Sequence, residues 1–137
     1  MIWKVIPELD MLNKFSNNTL VSHLGIKIIE IGDDYIKAKM PVDNRTIQPM
    51  GLLHGGASVV LSESIGSIGS WLVVGNPEKR VMGLEVNANH LRPAKSGFVY
   101  STTKPVKLGK TLHVWTTEIF NDINQLVCIS RLTVMII

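Results

Sequence analysis

Glu63 stands near the middle of the most apolar stretch of this chain, Gly55 to Val74. Burying an unpaired carboxylate is costly, so a glutamate there is either paired, neutralised or put to chemical use. Two readings follow: a base or nucleophile at a pocket, or a charge paired across a subunit interface. If the stretch is helical, Ser67 lies about 40° round from Glu63 and Ser70 about 20° to the other side. A stripe of Glu63, Ser67 and Ser70 could hold a water. Serines in such a setting also commonly bond back to helix carbonyls.

Just ahead of the stretch stands His54-Gly55-Gly56. Glycines let a substrate come close to the backbone. The first N–H groups of a helix are free, and its dipole favours negative charge there. Such donors can stabilise an oxyanion forming on a carbonyl. Gln48, six residues before His54, offers a side-chain amide. Taken singly, Gly-Gly is often only a turn, His54 a structural residue and Gln48 a solvated one.

Other chemistries find little support. His23, His54, His90 and His113 lack zinc spacing and no cysteine cluster accompanies them, so no metal is expected. There is no phosphate loop and no G-x-S-x-G elbow. Fourteen basic and 11 acidic residues give a net charge of +3 with no basic run, which argues against nucleic acid. The lone Cys128 lies in an apolar run and reads as a core residue of a reducing compartment.

These residues need a scaffold, and 137 residues suit one domain over 1–137. Apolar residues make up 45% and charged residues only 18%, so surface hidden in an oligomer is one expectation and a greasy monomer the other. Pro7 to Phe15 reads as a short helix, and Thr19 to Leu24 as a helical turn. Ile26 to Ile29, a Gly32-Asp33-Asp34 turn and Tyr35 to Met40 form a hairpin, with Ile36, Ala38 and Met40 on one face. Residues 42–51 are loop. The stretch from Gly55 is too long for a strand and reads as a helix covered on most sides. Its central glutamate, serines and glycines argue against a membrane span. Strands follow over Met82–Asn89, Phe98–Lys104, Thr111–Phe120 and Gln125–Ile137, read as a β-meander. The class is α+β, a single antiparallel sheet wrapped around one long central helix.

The run Gln48-Pro49-Met50-Gly51-Leu52-Leu53-His54-Gly55-Gly56, then Leu61-Ser62-Glu63-Ser64 and Val86-Asn87-Ala88-Asn89-His90-Leu91-Arg92-Pro93, resembles the hotdog-fold acyl-CoA thioesterases. The likeness runs from about Thr19 to the C-terminus and is greatest to the aromatic-acyl branch, which includes 1,4-dihydroxy-2-naphthoyl-CoA thioesterases of menaquinone synthesis and enterobactin proofreading enzymes. It implies the hotdog fold and hydrolysis of an aromatic acyl-CoA in the cytoplasm. No cofactor is implied, coenzyme A being part of the substrate. It also implies dimers, paired into a homotetramer, with the site shared between subunits. By motif, Glu63 matches the catalytic carboxylate and Gly55 the N–H that polarises the carbonyl. Gln48 and His54 match positioning residues, and Ser67 the residue that orients water. Pantetheine is placed along Met82 and Gly83. The nucleotide phosphates are placed near Asn89, His90, Leu91 and Arg92 and near a turn of Val106, Lys107, Leu108, Gly109, Lys110 and Thr111. Rival readings are a thioesterase for aliphatic or carrier-bound acyl groups, a non-catalytic acyl-CoA-binding module and a ligand-free scaffold. A binder has no use for a costly carboxylate at position 63.

Overall fold

The computed structural model describes residues 1–137. Its elements in chain order are α1 Leu9–Phe15, α2 Leu20–His23, β1 Lys27–Ile31, β2 Ile36–Pro41, α3 Gly55–Val74, β3 Val81–His90, β4 Phe98–Leu108, β5 Leu112–Phe120 and β6 Leu126–Ile136. The six strands make one antiparallel sheet in the order β1-β2-β4-β5-β6-β3. α3 packs across it, against β2, β4, β5, β6 and β3.

The alternation seen in the sequence of β2 is the alternation of the fold. Ile36, Ala38 and Met40 are fully buried, while Lys37 and Lys39 stay half-buried. Each large apolar side chain buried this way contributes about 1.5–3 kcal/mol. Trp115 is the largest enclosed side chain, with the Trp3 ring stacked on it at 6.3 Å. Gly69 of α3 makes room for that indole: a Cβ there would sit 2.8 Å from Trp115 Cη2.

α3 has the bounds its composition predicts. His54 caps its start, and Gly75 ends it in the left-handed conformation, φ 55°. Lys4 and Val5 donate their N–H groups to the Leu72 carbonyl and so close its last turn. Cover on most sides is only half met. Leu61, Ile65 and Leu72 face the sheet, while Ser64, Ser67, Ile68 and Trp71 remain half-buried or exposed. The helix is long and apolar enough to cross a membrane, yet half of it is buried against the sheet as a core helix.

Two expectations need correction. β3 is not the first strand of a meander. It lies at the far edge, bonded only to β6, while β4 pairs with β2 and β5. The connection over residues 91–97, which contains Pro93, is too long for a tight hairpin and lets the chain cross. Val106, Lys107 and Leu108 belong to β4 and not to a turn; only Gly109, Lys110 and Thr111 connect β4 to β5. Pro105 does not stop the strand. It stands opposite Trp115 of β5, beyond the point where β2 stops pairing with β4 at Thr103, and a bulge follows it.

Candidate active site

The loop before α3 is held firmly. The His54 N–H donates to the Thr46 carbonyl (2.8 Å), and the Leu53 N–H to that of Ala94 (2.8 Å). Gln48 Oε1 accepts from the Met50 N–H (2.6 Å) and the Leu52 N–H (3.4 Å). With its oxygen so engaged, the Gln48 amide has its NH₂ left to offer.

His54 decides which donor α3 presents. Its Nδ1 accepts from the Gly56 N–H at 2.8 Å, which puts the ring proton on Nε2. Its carbonyl accepts from the N–H groups of Ala57 (3.0 Å) and Ser58 (3.3 Å). Of the first four N–H groups of the helix, only that of Gly55 is left without a partner. The His90 ring packs against the Gly55 Cα, where a Cβ would sit 2.7 Å from His90 Nε2. Gln48, Gly55 and His90 line one cleft of about 330 Å³, with Ser58, Leu91 and Arg92. Leu52, Leu53, Pro93 and Val127 supply its apolar wall. Arg92 is fixed by a bond from Nη1 to the Leu126 carbonyl (3.1 Å). Asn89 is exposed and lies outside the cleft.

Glu63 is elsewhere. It is half-buried, not enclosed, and forms no hydrogen bond or ion pair within the chain. Its carboxylate lies over Gly83, with Oε1 3.2 Å from where a Cβ would stand. Met82 beside it is 51% exposed. Eight helical residues separate Glu63 from Gly55, about 12 Å along the axis, so one chain does not bring the carboxylate to the free N–H. Ser67 lies one turn beyond Glu63, half-buried. Ser70 does not extend their stripe. It is fully buried, accepting from Trp115 Nε1 (2.8 Å) and bonding His113 Nδ1 (2.9 Å).

The two groups of expected nucleotide contacts are also apart. Met135 pairs with Met82 on one side and Leu112 on the other, which puts the Gly109–Thr111 connection at the Met82 end of β3. His90 pairs with Cys128 at the opposite end. Eight strand residues separate these ends, about 26 Å. Lys107 and Lys110 are exposed at the first end, and Arg92 is at the second.

Burial pushes the His113 imidazole below the ordinary histidine value, against the pull of the Gly109 carbonyl. It pushes the Cys128 thiol up, as suits a core residue. No three of the His, Cys, Asp and Glu side chains converge as a metal centre would need. Leu52, Leu53 and Pro93 stood in the quoted motif without a role, and sequence reasoning missed Ser58 and Val127. Ser58 was within reach, being one helical turn past Gly55; Val127 arrives from β6 and leaves no local signal.

Residues 50–128 match the Thioesterase superfamily. The chain belongs to that family. It is 50% identical over 137 residues to the 1,4-dihydroxy-2-naphthoyl-CoA hydrolase of Escherichia coli, covering 100% of both chains. A thioesterase structure from Haemophilus influenzae superposes with a TM-score of 0.96 at 49% identity, over 100% of this chain and 95% of that one. A mutant thioesterase from Pseudomonas aeruginosa gives a TM-score of 0.97 at 44% identity, over 100% and 99%. The hotdog fold expected from the motifs is the fold observed, and the chain is a thioester hydrolase.

Proposed function

We propose that this thioesterase hydrolyses an aromatic acyl-CoA, of hydroxynaphthoyl or hydroxybenzoyl type, to the free acid and coenzyme A. The name of the Escherichia coli relative supports the aryl group. A dihydroxynaphthoyl substrate would place the reaction in menaquinone biosynthesis and in the cytoplasm.

The observation that carries the mechanism is the division of the site along the free edge of β3. Glu63 lies over Gly83 near one end; Gly55 meets His90 at the other. Antiparallel pairing of two β3 edges about Val86 sets Gly83 opposite Asn89 of the partner subunit. That brings Glu63 of one subunit towards the Gly55 N–H, Gln48 and His54 of the next. The same pairing joins Lys107 and Lys110 of one chain to the Arg92 end of the other, so one coenzyme A can meet both. An unpaired edge with Met82 and Leu84 51% and 57% exposed is a template for such association. Pairing of dimers into a tetramer would cover the exposed face of α3.

In the assembled site the thioester oxygen accepts from the Gly55 N–H, with Gln48 beside it. Glu63 as base takes a proton from water, whose oxygen bonds the carbonyl carbon. The C–S bond then breaks and the thiolate leaves, taking up a proton. Direct attack by Glu63 develops the same charge on the same oxygen. Ser67 orients the water. The reaction needs no cofactor and no metal.

Steady-state release of free thiol from dihydroxynaphthoyl-, hydroxybenzoyl-, short aliphatic and long aliphatic acyl-CoA tests this, with Glu63→Gln alongside. The expected result is aryl preference and a fall in kcat of about 10²–10⁴ in the variant. Activity on aliphatic chains alone would discard the aryl assignment. Parental turnover by Glu63→Gln would discard the role of Glu63, and a monomer in light scattering would discard the shared site.

A further inference from the structure

Three serines lie on the buried face of α3, and two of them are spoken for. Ser62 Oγ donates to the Ser58 carbonyl at 3.0 Å, and Ser70 is held by Trp115 and His113. Ser58 is 1% exposed, yet its hydroxyl has no hydrogen-bond partner in the chain. The one fully enclosed side-chain polar atom without a partner is Ser130 Oγ, so the Ser58 oxygen keeps an opening. That opening is the cleft Ser58 lines with Gln48, Gly55 and His90. Side chains on a helix lean towards its N-terminus, so a hydroxyl one turn past Gly55 reaches back towards the level of the Gly55 N–H. An unpartnered hydroxyl this deeply buried works against folding, and alanine would fill the place without that penalty.

We infer that Ser58 is a further catalytic residue, whose hydroxyl donates a hydrogen bond to the thioester carbonyl oxygen as a second donor beside the Gly55 N–H. The inference rests on the reading that the carbonyl sits at Gly55. A donor aimed at that oxygen strengthens as negative charge develops on it, so it acts on the transition state more than on bound substrate.

The test compares the parent with Ser58→Ala and Glu63→Gln in steady-state hydrolysis of an aryl-CoA, with thermal unfolding of each. Ser58→Ala is expected to lower kcat about 10-fold or more, with KM within about twofold, because loss of a preorganised donor falls mainly on kcat. Its unfolding midpoint should stay level or rise. Parental kcat in Ser58→Ala, alongside a large loss in Glu63→Gln, would overturn the role of Ser58 and leave the site reading intact. Parental kcat in both variants would overturn the site reading itself. A change in KM alone, or a fall in kcat matched by a fall in stability, would make Ser58 a binding or structural residue and end the proposal.

Discussion

Ser58 and Ser70 sit at opposite ends of one buried face of α3, almost equally enclosed, at 1% and 0% exposure. Ser70 binds two side chains of β5 and ties the end of the helix to the sheet. Ser58 binds none and opens on a cleft. The same residue type on the same helix thus completes a packing network at one end and holds a donor in reserve at the other. The glycines divide alike. Gly69 admits the Trp115 ring into the core, and Gly55 leaves its N–H free beside His90. The C-terminal end of α3 is thus tied into the core, while its first turn leaves an N–H and a hydroxyl without partners at a cleft.

Ser70→Ala should give the largest stability change. It leaves Trp115 Nε1 and His113 without their partner, and about 2–4 kcal/mol should be lost in urea unfolding. A loss no greater than that of Ser58→Ala would dissolve the contrast.

Gly69→Ala comes next. Its Cβ would meet Trp115 Cη2 at 2.8 Å inside the core, so overpacking of about 1–3 kcal/mol should outweigh the gain in helix propensity. The matching change Gly55→Ala meets first the exposed His90 ring, and should cost less stability and more turnover.

A pH series sharpens the role of the Ser70 cluster. His113 is held neutral below its ordinary value, so the unfolded chain takes up a proton that the folded chain refuses. Its contribution is present above about pH 6.5 and lost as pH falls through the lower folded value. Unfolding midpoints of parent and His113→Gln should converge as pH drops through that window; parallel curves would remove His113 from the account.

The smallest effect expected is that of Ser58→Ala, from no change to a gain of about 1 kcal/mol, because a buried hydroxyl without a partner is removed. A clear loss of stability would mean that Ser58 carries structural bonds.

Much of this was legible from local pattern. The bounds of α3 follow from His54-Gly55-Gly56 at one end and Gly75 at the other, and the core face of β2 from the alternation of Ile36, Ala38 and Met40. Glu63 and Gly55 could be named as candidates because a place in one helix is a local property, whereas Gln48 was singled out only by the motif resemblance. The edge position of β3, the partners of Ser70 and the Val127 wall could not, since each depends on residues distant in the chain.

The sequence by itself determined which groups can do chemistry and which helix carries them, because capping and helical periodicity act over a few residues. The tertiary structure alone decided which of those groups share a cleft. It put Gly55 against His90 and carried Glu63 to Gly83, because α3 packs along β3 and only that packing sets which of their residues meet.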